Sequence, residues 1–441
     1  MNIKTIILAV LISLILIFGC KRLTESDQES ASIAQDAPPI YSWDFVDGGE
    51  ETSINPSLSD ALHPQLAEFN GKLYTIWTED LASLPNQIHI AEWDGASTWN
   101  YVDGARVTGI NKVTENPAFY GRLSVFNSNL YAIWCEYNDD SVSQIRVAKW
   151  DGADSWNFID GDGADGLNRD TAQRTFVDLD YEYASLPQMV ADDSYLYAIW
   201  NEAVNTENVQ IRVARWDGNN WFFIDGDGIN GINKDPEQPA AYPYIALYNS
   251  RLYATWTEVN NRVGQIRIAK WDGSNTWQFV DGNGVYGINK NTSMHSGVSR
   301  LAVFESKLYI TWFEQFGISS QVHVAEWDGS SIWTLIDGGD HGLNKDPNAV
   351  AMLPYLASAD GKLYLTWEEV FAGRFQIRVA EWDGTSSWTF KDGNRDIGIN
   401  KDYSQHGYAP NLISFQSNIY TAWHEWNRDF KNYQLRVAAM P

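Results

Sequence analysis

The stretch QIRVAKWDGADSWNFIDGDG, residues 144–163, sets two short runs rich in β-branched and aromatic residues on either side of an Asp-Gly turn. Apolar and polar residues alternating with a period of two mark β-strands rather than a helix. With small changes the same words return along the chain. That return decides the fold, because self-similarity at a fixed period is the signature of a repeat architecture.

Aligning the copies on the Trp of the upstream pattern LYxxWxE gives Trp77, Trp134, Trp200, Trp256, Trp312, Trp367 and Trp423, spaced by 57, 66, 56, 56, 55 and 56 residues. Each unit holds four short segments, as in RLSVFNSN (residues 122–129), LYAIWCEY (130–137), QIRVAKW (144–150) and SWNFID (155–160). A four-stranded unit in seven copies reads as an all-β chain, a seven-bladed β-propeller of antiparallel blades. The ends complement each other: the last copy stops after its third strand, YQLRVAAMP (433–441), and YSWDFVDGG (41–49) matches only the fourth. The N-terminal strand is therefore expected to complete the last blade and to remove an exposed edge.

Composition narrows the function classes. In 441 residues, 31 Lys and Arg stand against 57 Asp and Glu, a net charge of −26. A field of that sign repels phosphate backbones, so nucleic acid is excluded as an expected partner. A hydrophobic share of 44% with 21 Trp supplies a large core. The opening MNIKTIILAVLISLILIFGC, residues 1–20, carries one Lys and then an unbroken apolar run, the form of a secretory signal. Its ending IFGC resembles the lipobox of bacterial lipoproteins, which implies lipidation of Cys20 after removal of residues 1–19. An uncleaved N-terminal anchor is the alternative. Residues 20–39 are polar and read as a lipidated tether, leaving residues 40–441 to the propeller. With Cys20 lipidated, Cys135 is the one remaining thiol, so the exported domain is expected to hold together without a disulfide. Lys21 after the Cys, in place of Asp, favours the outer membrane or cell surface.

Between third and fourth segments, EWDGASTW (92–99) resembles the Asp-box of sialidase-like propellers. The resemblance implies a structural turn on the face opposite the binding face.

What repeats reads as scaffold. Twenty of the 21 tryptophans occupy repeat positions. Glu79, Glu136, Glu202, Glu258, Glu314, Glu369 and Glu425 form a ring. Each is followed by His89, Arg146, Arg212, Arg267, His323, Arg378 or Arg436 on the neighbouring strand, so carboxylate–cation pairs across the strands are expected. The loop after the fourth segment, in spirit DGxxxxxGINKD, reads as a turn built on Gly and Asx residues. Two copies are richer in carboxylates, and Asp160, Asp162 and Asp165, with Asp225 and Asp227, are the candidate calcium ligands.

What does not repeat is where a specific function is expected. An insertion of about nine residues lies before blade three within residues 169–187, carrying Asp178, Asp180, Tyr181, Glu182 and Tyr183. Along the first strand, Gln65, Arg122, Gln188, Tyr244, Arg300, Tyr355 and Asn411 occupy one position, all polar yet varied, as a channel-mouth pocket for an asymmetric ligand would require. Two arginines there suit an anion. Trp426, outside the repeat, and His424 are expected to border the pocket.

No serine elbow, paired-His metal motif or distinct acid–base pair stands out, so the expected function is binding of a glycan or envelope protein by a monomer, without chemistry. Two alternatives remain. A sialidase-like glycoside hydrolase is implied by the Asp-box resemblance, with Arg122, Arg300, Tyr244 and Tyr355 in its sugar-gripping and nucleophile roles, although the Arg-Ile-Pro motif is absent and those propellers have six blades. The other is an envelope assembly scaffold.

Overall fold

The computed structural model describes residues 43–440 apart from 49–53, 56–58, 82–83, 105–107, 141, 162, 164, 171–186, 205–207, 227–229, 275, 283, 331, 340 and 393–396. Seven antiparallel sheets of four strands make up the described chain. Blade two is typical: Ala118–Phe126, Asn129–Tyr137, Ser143–Trp150 and the three-residue Trp156–Phe158 pair in sequence order. First strands contact those of the blades on either side, from blade to blade and from the seventh back to the first, so they line a central axis. Asp44–Phe45 pairs antiparallel with Asn432–Met440, aligning Phe45 with Ala438, and is the fourth strand of blade seven. No helix among the described residues is long and apolar enough to cross a membrane.

The core lies between blades. Tyr74 and Ile76 of blade one pack with Trp134 and Ala132 of blade two in one cluster, so each repeat Trp faces the preceding blade. All seven of these tryptophans are fully buried. Fourth-strand indoles tie each blade to the one before: Trp156 Nε1 donates to Val102 O at 2.9 Å, and Trp99 Nε1 donates to Val46 O at 2.7 Å across the closure.

The inter-blade loop locks the ring by side-chain capping. Asn289 Oδ1 accepts Ile266 N–H at 2.9 Å while its Nδ2 donates to Gly264 O and Met294 O. The preceding Gly287 is required by close approach, since a Cβ there would collide with the Ile266 carbonyl. Positive φ, the expected reason, does not apply at that residue.

The repeated carboxylates make the expected cross-strand ion pairs in four blades, at 3.5 to 3.8 Å, and a second set of contacts besides. Glu258 accepts the Trp256 indole N–H at 3.1 Å and the backbone N–H of Lys234 and Asp235 at 2.7 and 3.3 Å. Its cross-strand Arg267 stands farther off, at 3.5 Å, and reaches Asp281 after the fourth strand through Nη1 at 3.4 Å. Lys234 closes on the same Asp281 from the preceding loop at 3.1 Å. The Glu therefore satisfies orphan donors of the loop as well as its cross-strand Arg, and the Asp adds ion pairs to the same Arg and to the loop Lys. The Asp-box-like turn is likewise structural: Asp94 Oδ1 accepts the N–H groups of Ala96, Ser97 and Thr98 at 2.8 to 3.0 Å.

Candidate functional site

The first strands carry a device that alternation alone does not reveal. In six blades the pairing with the second strand slips, for example between Leu62 and Gln65 and between Met352 and Tyr355. At each slip one residue is left-handed: His63, Tyr120, Tyr242, Val298, Leu353 and Ala409, with φ between 49° and 61°. A β-bulge of this kind bends the strand and re-aims side chains. Tyr120, Tyr242, Val298 and Leu353 come from four blades yet share one buried cluster, so they converge over the axis as a layer on the upper side of the polar ring.

Beneath that layer the variable ring does come together. Arg122, Gln188, Arg300, Tyr355 and Asn411 line one axial cavity with His63 and the bulge residues. Tyr244 stands edge-on to Tyr355, with ring centroids 6.4 Å apart, and the Arg300 guanidinium lies 5.1 Å from the Tyr244 ring. Gln65 and Asn411 work as scaffold, their Oε1 and Oδ1 accepting the N–H of Leu123 at 2.8 Å and of Leu66 at 2.9 Å on the adjacent blade. The cavity measures about 50 Å³. Small-molecule pockets run from about 300 Å³ upward, so this space suits an ion or a few waters and not a sugar ring. The bulge residues Val298, Leu353 and Ala409 are part of its lining.

Burial sets the charge states here. Burial, then the charges of His424 and Arg122, holds His63 well below the usual imidazole range. Burial takes His424 to about 3, and its Nδ1 faces the His63 N–H at 3.4 Å. Burial, then Tyr355, holds the Tyr244 phenol well above its usual range. Arg122 falls to about 10 through burial and the facing Arg300.

His424 belongs to a set that repeat reading passed over. The residue after each repeat Trp faces the next blade: Thr78, Cys135, Asn201, Thr257, Phe313, Glu368 and His424. Thr78 Oγ1 accepts the Tyr120 N–H at 3.1 Å and Glu368 Oε2 accepts the Ala409 N–H at 2.9 Å, each capping a bulge. Glu368 is 1% exposed, and burial raises its carboxyl to about 8.

A second site lies at the upper end of blades six and seven. Trp426 pairs across the strands with Tyr433, rings 5.2 Å apart. Tyr433 also meets His424 at 5.2 Å and Tyr408 at 6.0 Å. Tyr408 stacks parallel to His406 at 5.5 Å and touches Phe375 of blade six at 5.2 Å. Phe375, His406, Tyr408, Trp426 and Tyr433 are only partly buried, so this aromatic surface reaches solvent. Burial, then the charge of Arg374, lowers His406 to about 4, which leaves a neutral imidazole whose Nδ1 accepts the Phe375 N–H at 3.2 Å. Sequence reasoning found His424 and Trp426 and missed the other four. Tyr408 stands where other blades carry Leu62, Phe119, Ala241, Gly297 or Met352, so the signal was a break in the repeat.

The remaining expectations fall as follows. Asp160 and Asp225 are buried and take Arg146 and Arg212, each at 3.3 Å, which makes them ion-pair partners in the scaffold. Asp162 and Asp227 lie outside the described residues, as do Asp178, Asp180, Tyr181, Glu182, Tyr183 and Cys20. No group of three metal-ligating side chains occurs among the described residues, Asp165 included.

No protein-family model matches the chain, and no curated protein matches it. Solved structures do. Trypanosoma rangeli sialidase is 9% identical at a TM-score of 0.46, over 87% of this chain and 55% of that one. The Hadza microbial sialidase Hz136 is 13% identical at 0.43, over 86% and 65%. Native Bacillus subtilis arabinanase Arb43A is 15% identical at 0.35, over 58% and 94%. The chain thus spans under two thirds of either sialidase.

Proposed function

We propose that this chain is a monomeric, non-catalytic binding module whose ligand is a glycan, held on the upper face of blades six and seven. The observation that carries the reading is the partly exposed surface of Phe375, His406, Tyr408, Trp426 and Tyr433. Aromatic faces bury the apolar side of a sugar ring, while the indole N–H, phenol and imidazole edges, with Arg374 and Arg428 nearby, offer hydrogen bonds to hydroxyls. The experiment is a glycan array on the soluble domain, followed by titration of any hit with Trp426→Ala and Tyr408→Ala. Each variant is expected to weaken binding about tenfold, roughly 1.4 kcal/mol, without altering the melting temperature by more than a few degrees. A blank array, or a hit indifferent to both substitutions, rejects the reading.

The glycoside hydrolase alternative would need a tyrosine primed by a carboxylate. Burial keeps Tyr244 protonated, which works against a nucleophile. The scaffold alternative draws support from apolar groups exposed in upper-face loops, Ile318 at 96% among them. Recovery of one envelope protein by the wild type and its loss with Ile318→Asp would favour that role.

The mature protein is read as tethered through lipid on Cys20 to the outer membrane or cell surface, which sets the aromatic face toward extracellular or envelope glycans. Fatty-acid labelling of the full chain is expected to be lost in Cys20→Ser; labelling that survives would point to an uncleaved apolar anchor carrying lipid elsewhere.

A further inference from the structure

We infer that the axial cavity is a binding site for one small monovalent anion of chloride size, held between the guanidinium groups of Arg122 and Arg300. The inference is independent of what occupies the aromatic surface of blades six and seven.

It begins with a contrast among seven inward-facing arginines, all buried but the half-buried Arg122. Arg146, Arg212, Arg267, Arg378 and Arg436 each reach a carboxylate at 3.1 to 3.4 Å. Arg122 and Arg300 reach none among the described residues. Arg122, Arg300 and Tyr355 line the same cavity, and the Arg300 guanidinium lies 5.1 Å from the Tyr244 ring. Arg300 is 7% exposed and lines the cavity, as Arg122 does. Through Nη1, Arg300 donates to Ser299 O at 3.0 Å, and Arg122 to Gly121 O at 2.8 Å and His63 O at 3.4 Å. A guanidinium carries five N–H donors, so these contacts leave most of the donor capacity of both groups unused.

Two like charges from blades two and five therefore share one small axial cavity, lined by bulge residues and partly open to solvent. His63 adds no compensation, since burial keeps it neutral. A buried charge without a partner is strongly unfavourable, and more so beside a second of the same sign. One anion between the two groups relieves both penalties. The cavity volume of about 50 Å³ selects the class, because a halide or formate fits it and a pyranose carboxylate does not.

The test compares melting temperatures of the soluble domain in sodium chloride, formate, sulfate and gluconate at fixed ionic strength. Mass action predicts a rise of roughly 1–3 °C as chloride goes from about 1 mM to about 100 mM against a gluconate background, with no such rise in gluconate alone. Formate following chloride while sulfate fails supports the monovalent class; sulfate acting as well as chloride overturns it. Arg300→Met removes one charge at similar volume and is expected to lose the chloride dependence and to melt higher than wild type in gluconate. Should that variant not fold, crystals of the wild type grown in bromide are expected to show anomalous density between Arg122 and Arg300, and density confined to the surface counts against the site. A carboxylate of the chain itself is the rival occupant. The combined variant Asp178→Asn, Asp180→Asn, Glu182→Gln tests it: loss of stability in gluconate, as large as the chloride effect, overturns the proposal.

Discussion

Arg378→Ala is expected to destabilise the propeller by about 3 kcal/mol near neutral pH, because it removes the nearer partner of the buried Asp392 and leaves it the partly exposed Lys345 at 3.5 Å. Arg378 is 1% exposed; its Nη1 lies 3.1 Å from Asp392 and its Nε 3.8 Å from Glu369. Asp392 is already raised to about 6, burial outweighing the attraction of Arg378 and Lys345. Losing Arg378 raises it further. A carboxyl raised above its unfolded value is most stabilising while protonated, and that contribution fades as pH climbs through the folded pKa. The deficit of Arg378→Ala is thus expected to be smaller at pH 5 than at pH 8. A second substitution, Asp392→Asn, should recover part of the loss at pH 8 and little at pH 5. Denaturant midpoints of the four proteins at both pH values decide it: a deficit that ignores pH would mean that lost packing, not stranded charge, is what the mutation costs.

The same Arg378 shows how far the sequence could be read. Its place on a strand antiparallel to that of Glu369 follows from alternation, and the seven-fold recurrence rightly marked it as scaffold. Its pairing with Glu369 was legible, but its nearer partner was not, because Asp392 comes after a different strand and only the course of the loop brings it to the guanidinium. Ring closure was easier: an orphan fourth strand at one end and a missing one at the other leave one economical arrangement. The axial ring falls between these cases. Counting back from the Trp placed Arg122, Arg300 and Tyr355 on a common surface correctly, since the bulge lies outside the counted interval. It could not show that the bulge then turns Tyr120, Tyr242 and Leu353 over the ring and reduces a mouth to a small cavity. A hint was nonetheless present in Pro64, Pro243, Pro354 and Pro410, which recur inside strands that should not tolerate them. The aromatic surface was half visible, because Trp426 stands out as the one tryptophan outside the repeat, while Tyr408 and Tyr433 occupy ordinary strand positions and differ from their counterparts only in residue type.

Glu368 supplies the second large effect. Six of the seven positions that follow a repeat Trp hold neutral side chains, His424 among them through burial, and blade six alone puts a carboxyl there. Among the described residues no cation lies within ion-pairing distance of it, and the Ala409 N–H is its one hydrogen bond recorded. Burial outweighs that bond and raises the carboxyl from 4.5 to about 8. The unfolded chain releases this proton near 4.5 and the native protein keeps it until about 8. Between those values the native state binds more protons, so stability falls with rising pH by about 1.4 kcal/mol per unit from this group alone. Glu368→Gln keeps an acceptor for Ala409 and discards the titration. The variant should match wild type near pH 5, exceed it increasingly toward pH 8.5, and show a correspondingly flatter pH profile in chemical denaturation. Asp225, Asp392 and Glu425 also titrate upward in the native protein, but they do so equally in both chains, so the difference between the two profiles isolates Glu368. Parallel profiles would mean that Glu368 is charged in the native state, and a cation not seen among the described residues would then have to stand beside it.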